Sequence, residues 1–141
     1  MAVIKTRNKA GVVIYHLDPQ PGGVIPKEET EAINLYQHVQ ERFKLGPLFF
    51  HVASEGVASL HRRNLLKQAG LQPGIADYIL AMPRDKYHGM FLELKRVKKS
   101  ASSISKEQSN FLLAVEKQGY FACICYGWKA AIEAIDEYMK S

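Results

Sequence analysis

Cysteine is scarce in this sequence: 141 residues include only two, Cys123 and Cys125, and both lie in one apolar run. Two cysteines so close together do not make a disulfide framework, and no histidine or further cysteine stands at zinc-site spacing around them. We therefore expect an intracellular protein without a disulfide framework or a structural zinc, in which both cysteines belong to the core.

Long apolar stretches are missing as well. No run approaches the ~18 consecutive apolar residues of a transmembrane helix, and Lys5, Arg7 and Lys9 interrupt an N-terminus that has no apolar signal core. A soluble protein with no membrane partner is the expectation. Because 47% of its residues are hydrophobic, the chain has enough apolar material for one domain with a single core.

Acidic residues are outnumbered by basic ones, which leaves a formal net charge of +5 and a pI near 9.2. This balance fits a nucleic-acid partner, but a charge of this size is common among proteins that bind no nucleic acid. Charge therefore supports such a function without establishing it.

The most informative stretch is residues 73–95, which we interpret as a β-hairpin. Two apolar runs, residues 78–82 and 90–94, flank a segment rich in turn-forming residues, as expected of two antiparallel strands joined by a short loop. Asp85 lies within that segment, and we take it as the centre of the loop. A loop centred there predicts which residues of the two strands lie opposite each other.

Three ionisable side chains of this hairpin are predicted to share one face. Asp77 falls directly opposite Glu93, and Lys95 follows on the same side, while Leu92 and Leu94 point into the core. Opposed carboxylates repel each other unless one is protonated or a cation lies between them. Carboxylate ligands of this kind suit Mg²⁺ or Mn²⁺, and a lysine beside a metal-bound water suits phosphodiester hydrolysis.

Helical patterns surround the hairpin. A first helix begins near Pro26, and Glu31 beside its apolar face is either an ordinary helix-start charge or a site residue, with Glu28 a weaker candidate. The predicted apolar face consists of Ala32, Leu35, Tyr36, Val39 and Phe43. A second helix, residues 57–69, is expected to turn its three leucines, Leu60, Leu65 and Leu66, toward the core.

Two further helices are predicted after the hairpin. Ser105 and Gln108 form a capping box, which predicts that a helix begins at Ser105, and Gly119 ends it. A final amphipathic helix follows from Trp128.

Two apolar runs outside the hairpin are predicted as strands. Residues 48–52 read as a buried strand in which His51 is structural, and residues 120–126 read as another. The order of elements predicts a mixed α/β fold, a central mixed sheet with helices on its faces. Residues 1–26 are expected to form an N-terminal arm before a domain of residues 27–141. The arm either adds a short strand to a sheet edge or takes part in a dimer contact.

The motif Asp77, Glu93, Leu94, Lys95 resembles the Asp…Glu-x-Lys signature of the PD-(D/E)XK nucleases. With residues 70–77, 87–95 and 105–108 together, the chain resembles more closely the virus-type replication-repair nuclease (VRR-NUC) domain, over roughly residues 28–128. Ala76 departs from the proline that the family usually has before the aspartate. That proline shapes a turn and binds no metal.

The resemblance implies a restriction-endonuclease-like αβββαβ core and a metal-dependent DNA endonuclease. Asp77, Glu93, the backbone carbonyl of Leu94 and Glu31 would hold Mg²⁺ or Mn²⁺, with Glu31 acting directly or through water. Lys95 would position or deprotonate the attacking water, and Gln108 would orient Lys95, the water or a phosphate. Similarity to stand-alone phage and bacterial members implies a homodimer in the cytoplasm of a bacterial or phage-infected cell, acting on branched DNA such as Holliday junctions.

Basic and polar residues near the hairpin are candidates for phosphate contacts. They are Arg62, Arg63 and Lys67 before it, and Lys98, Lys99, Ser105 and Lys106 after it. Glu55, in a segment that resembles the family's Asn-Glu-Gly turn, is a weaker site candidate.

Two other interpretations stay open at this point. The chain is either an enzyme or a DNA-binding or assembly module that keeps the nuclease fold without the reaction. A third, weaker hypothesis treats the carboxylates as charges of an exposed strand.

Overall fold

A computed structural model describes residues 2–53 and 59–141. The described residues form six strands and four α-helices, in this order: β1 (Ala2–Arg7), β2 (Val13–Asp18), α1 (Glu28–Phe43), β3 (Phe49–His51), α2 (Leu60–Gln68), β4 (Tyr78–Leu80), β5 (Met90–Lys95), α3 (Lys106–Lys117), β6 (Phe121–Tyr126) and α4 (Trp128–Lys140). Single 3₁₀ turns at Gly46–Leu48 and Lys99–Ala101 precede β3 and follow β5.

The strands form one sheet in the order β1-β2-β6-β5-β4-β3. β6 runs parallel to both β2 and β5, whereas the remaining neighbours are antiparallel. This is the mixed α/β architecture that the order of elements predicts, and it places β5 near the middle of the sheet.

The hairpin has the predicted register. Tyr78 pairs with Leu92 and Leu80 pairs with Met90, and the same register continued by one position sets Asp77 opposite Glu93. Leu92 and Leu94 are buried in the larger of two hydrophobic clusters, as expected for the strand face turned away from the carboxylates. Side-chain alternation thus sends the ionisable residues of β5 to the opposite face.

The two faces of the sheet carry different helices. Helices α1 and α4 pack over the larger cluster, to which they contribute Leu35, Val39 and Ile135. Helix α3 covers the other face, where Leu112 meets Ala76 and other residues of the smaller cluster. The ionisable face of β5 therefore lies under α3.

The N-terminal segment belongs to the sheet. β1 and β2 form a hairpin, and β2 pairs with β6. Val13 and Tyr15 are buried in the larger cluster because α4 packs over this face of β2. Of the two interpretations of residues 1–26, the structure has strands added to the sheet, but two of them rather than one. The dimer contact stays a prediction.

Three burial predictions were wrong. β3 is the last strand of the sheet, so only Phe49 is buried and Phe50 is 41% exposed. Leu60 and Leu65 of α2 are exposed, because none of the described elements packs extensively on that helix. Tyr36 of α1 is 42% exposed, at the border of the buried face. Periodicity identifies the more apolar side of an element, but burial needs a neighbour to cover it.

No helix among the described residues is long and apolar enough to span a membrane.

Candidate functional site

Asp77 is held by the backbone of both neighbouring strands. Its Oδ2 accepts a hydrogen bond from the Leu94 N–H at 2.9 Å, and its carbonyl accepts one from the Val52 N–H at 2.7 Å. His51 Nδ1 lies 2.9 Å from the same carbonyl. The carboxylate is thus fixed at the start of β4, beside the end of β5.

Glu93 is a buried carboxylate that is only partly satisfied. Its Oε2 accepts a hydrogen bond from Gln108 Nε2 at 2.9 Å and lies 3.5 Å from Lys95 Nζ. Its Oε1 is one of two buried side-chain oxygen or nitrogen atoms without a hydrogen-bond partner in the described residues. A buried, unpaired carboxylate oxygen is costly unless a proton or a cation completes it.

Lys95 completes a buried ionic cluster. Glu93 is 3% exposed and Lys95 is 7% exposed, and Lys95 Nζ donates to Gln108 Oε1 at 3.3 Å. The hypothesis that these are charges of an exposed strand is therefore wrong. The covering element is α3, whose first turn lies over this end of β5.

Gln108 joins the start of α3 to the ionic cluster. The predicted capping box is confirmed, since the Gln108 N–H donates to Ser105 Oγ at 3.1 Å and Gln108 Oε1 accepts from the Ser105 N–H at 3.0 Å. The same amide contacts both Glu93 and Lys95. The two structural relationships considered for Gln108, capping and contact with Lys95, thus coexist; its catalytic role stays a prediction.

The electrostatics of the cluster favour an added proton or cation. Burial, and after it the negative charge of Asp77, raise the pKa of Glu93 to about 8, although Lys95 partly offsets the effect. Burial and the charge of Asp77 also raise the pKa of Tyr78 to about 12. The carboxyl groups of Asp77 and Glu93 therefore repel each other in a space where little water screens their charge.

A cavity of about 250 Å³ opens beside Asp77. Its lining includes Leu94, whose carbonyl is the predicted backbone ligand, together with Glu28, His51 and Tyr78. No cluster of three His, Cys, Asp or Glu side chains suited to a metal occurs within residues 2–53 and 59–141. Of the predicted metal donors, Asp77 and Leu94 line this cavity, and Glu93 lies opposite Asp77 outside its lining. Glu28, Glu29 and His51 are further side-chain donors in the cavity wall.

Glu31 lies apart from this cavity. Its carboxylate is buried and accepts a hydrogen bond from the Trp128 N–H at 3.4 Å, at the start of α4. Burial raises its pKa, an effect that Trp128 and Arg96 partly offset. It lines a different cavity, with Val97 and Gly127. The structure thus does not bring the predicted outer ligand to Asp77 and Glu93.

Glu28 occupies the position that sequence reasoning proposed for Glu31. It lies four residues before Ala32, whose carbonyl accepts a hydrogen bond from Tyr78 Oη at 3.3 Å, so both residues are on the helix face turned to the cavity. The four-residue spacing of Glu28 and Ala32 is visible in the sequence. It identifies the face turned to the cavity only together with the contact between Ala32 and Tyr78 of β4.

The predicted phosphate-binding residues fall into two groups. Arg62, Arg63 and Lys67 are exposed along α2, whereas Lys98, Lys99, Ser105 and Lys106 lie between the end of β5 and the first turn of α3. Of these four, Ser105 contacts Gln108 of the ionic cluster. Their binding roles stay predictions.

Glu55 lies outside the described residues. His51, taken as structural, lines the cavity because β3 pairs with β4.

Comparison with known proteins agrees with this architecture. The model of the VRR-NUC domain family matches residues 29–129. A solved structure described as a VRR_NUC domain protein superposes with a TM-score of 0.70, at 22% sequence identity, covering 83% of this chain and 91% of the other. No protein with a curated description matches significantly. The fold agreement and the family match over most of the chain lead to one conclusion: this chain belongs to the VRR-NUC family and is a nuclease-type domain.

Proposed function

We propose that this domain is a metal-dependent deoxyribonuclease that hydrolyses phosphodiester bonds. The observation that carries the proposal is the buried Glu93 carboxylate, which has an unpaired Oε1, lies opposite Asp77 and contacts Lys95. A non-catalytic scaffold has no need for this arrangement, because an uncompensated buried carboxylate costs stability.

The donor set fits Mg²⁺ or Mn²⁺. Asp77, Glu93 and the Leu94 carbonyl offer hard oxygen ligands, and Mg²⁺ sites commonly use one or two carboxylates with water and phosphate for the rest. The unpaired Glu93 Oε1 is the atom that such an ion would satisfy. A bound ion supplies Lewis-acid polarisation of a phosphate oxygen and lowers the pKa of a coordinated water.

The protein's own residues perform the other tasks. Lys95 Nζ lies 3.5 Å from Glu93 Oε2 and donates to Gln108 Oε1. These contacts support a role in which Lys95 would hold the attacking water, accept its proton or balance charge on the phosphate. Gln108 fixes the position of the lysine through its amide oxygen. The first turn of α3 adds N–H groups of a helix N-terminus, which favour anions such as phosphate.

The finer features of the proposal are a branched or structured DNA substrate and a homodimer with two active sites. Basic residues around the cluster suit phosphate contacts that fix register without reading sequence, so selection by DNA structure is the expected mode. Paired sites in a homodimer suit a symmetric junction such as a Holliday junction. Sedimentation that finds a monomer at the working concentration would argue against paired cuts.

One assay tests the enzymatic proposal. Wild type, Asp77→Ala and Lys95→Ala are incubated with flap, splayed-arm and four-way-junction DNA in Mg²⁺ or Mn²⁺. We expect cutting by wild type alone. Binding without cutting in both metals would support the module that lacks the reaction, and cutting at full rate by Lys95→Ala would refute the assigned mechanism.

A further inference from the structure

A groove with exposed aromatic and apolar side chains adjoins the cavity beside Asp77. It has a volume of about 520 Å³ and lies between α1 and the edge strand β3. Ile33 is 58% exposed, Tyr36 42% and Phe50 41%. Three exposed large hydrophobic side chains thus line the same groove. An exposed apolar patch of this kind marks a binding surface more often than chance.

The groove is continuous with the carboxylate cavity. Ala32, His51 and Tyr78 line both. A nucleotide joined to a phosphate held beside Asp77 would therefore have room to extend into the groove.

The aromatic rings of the groove are held in place. The Tyr36 ring stacks on the buried Phe49 ring with centroids 6.1 Å apart and an interplanar angle of 18°. Phe49 stacks in turn on Tyr78 at 5.1 Å and 5°, and His51 meets Tyr78 at 5.1 Å. Because the buried rings support it, Tyr36 offers a preformed platform that loses little conformational entropy on binding.

The chemistry of the lining selects a base rather than a phosphate. In the part of the chain that the structure describes, the groove is lined by no Asp, Glu, Lys or Arg side chain. Phosphates require basic groups, whereas a nucleobase stacks on an aromatic face with little regard to sequence. A base inside a duplex already has both faces covered by its neighbours, so only an unpaired base can stack here.

We propose that Tyr36, with Ile33 and Phe50, forms a stacking subsite for one unpaired nucleotide next to the scissile phosphate. This inference rests on the proposed nuclease function and narrows its substrate. Among the structured DNAs proposed above, it favours one with an unpaired base beside the cut, such as a flap or splayed arm, over a fully paired four-way junction. A second copy of the chain is a weaker occupant, because the neighbouring edge strand offers only Phe49–His51 for pairing.

The first experiment measures stacking without cutting. A flap oligonucleotide with 2-aminopurine as the unpaired nucleotide is titrated with protein in EDTA, and fluorescence reports stacking of that base. Wild type and Tyr36→Phe should quench the signal, whereas Tyr36→Ala should not. Ile4→Ala is the matched control, since Ile4 is 37% exposed on β1 at the other edge of the sheet.

The second experiment measures cutting in Mn²⁺ of paired flap substrates that carry either a normal or an abasic unpaired nucleotide. Wild type, Tyr36→Phe and Ile4→Ala should prefer the normal substrate by about tenfold in kcat/KM, as loss of one stacking contact predicts. In Tyr36→Ala the ratio should fall to near one. An equal ratio in wild type and Tyr36→Ala would overturn the subsite and leave the nuclease proposal intact.

The remaining outcomes separate the two proposals. Quenching that depends on Tyr36, in a protein that never cuts, would support the subsite and refute the nuclease. Failure of wild type to quench would refute the subsite even if DNA is cut. If Tyr36→Ala instead converts a dimer to a monomer in sedimentation, a second copy occupies the groove and the subsite is refuted.

Discussion

Gln108 donates its side-chain N–H to Glu93 at 2.9 Å while its amide oxygen accepts from both Lys95 and the Ser105 backbone. The Gln108 side chain thus connects the first turn of α3 to the ionic cluster of Glu93 and Lys95. Because the amide donates from one end and accepts at the other, it satisfies an anion and a cation at once.

Replacing Gln108 by alanine should therefore affect stability and catalysis together. Loss of the cap and of a partner for buried Glu93 should lower the free energy of unfolding by roughly 1–3 kcal/mol, measured by urea denaturation. Ser105→Ala is the matched comparison, because it removes the hydroxyl that caps α3 at 3.1 Å and leaves the Gln108–Glu93 contact. If the two variants lose kcat equally, Gln108 acts through the cap alone.

Glu93 predicts a pH-dependent stability in the absence of metal. Its pKa is raised from 4.5 to about 8 in the folded state, so the folded protein retains a proton that the unfolded chain releases. The resulting stability is complete below the unfolded pKa and is lost as the pH rises through about 8. Glu93→Gln should remove this part of the pH profile, measured by urea denaturation in EDTA between pH 5 and 8. Superimposable wild-type and variant profiles would contradict the prediction.

Metal binding should counteract the loss of folding stability that occurs as the pH rises. A cation between Asp77 and Glu93 replaces the proton, so Mn²⁺ should raise the melting temperature, and its apparent affinity should increase with pH over the same range. Calorimetric titration in buffers of different ionisation enthalpy would count the protons released. An affinity for Mn²⁺ that is independent of pH would show that Glu93 is not a ligand.

Gly74 permits close packing of the loop before Asp77 on α3. A Cβ at this position would lie 2.5 Å from the Glu107 carbonyl carbon and 2.7 Å from the Gln108 nitrogen, and its φ is +76°. Gly74→Ala should thus be strongly destabilising and displace Gln108 from Glu93. Gly70 is the control, because its φ is +107° but nothing lies within 4 Å of an added Cβ. Gly70→Ala should cost only about 1–2 kcal/mol of backbone strain; equal melting temperatures for the two variants would refute the packing argument.

Glu28 and Glu31 of α1 should behave differently. Glu31→Ala removes the acceptor for the Trp128 N–H and should lower stability by about 1–2 kcal/mol, with little change in Mn²⁺ affinity. Glu28→Ala, exposed at the start of α1 and lining the cavity beside Asp77, should leave stability nearly unchanged and reduce Mn²⁺ affinity or cutting by about tenfold. The reverse pattern would restore Glu31 as the outer ligand.

Local patterns account for what was predictable from the sequence. Apolar runs on both sides of a turn at Asp85 predicted the pairing that sets Asp77 against Glu93, and the Ser105 and Gln108 spacing predicted the cap. Each depends on residues near one another in the chain or on strict alternation along a strand. The family resemblance rested on the same residues.

Only the tertiary structure showed which side chains are covered and by what. It turned Glu28 rather than Glu31 toward the cavity, left Leu60 and Leu65 exposed, and placed Tyr36 on the border of an open groove. Periodicity identifies the apolar side of an element but not the neighbour that packs on it, and that neighbour comes from distant parts of the chain. The sequence by itself therefore determined the pair of carboxylates and their lysine, whereas the packing of α1, α3 and β3 around them determined the burial and surroundings of the site.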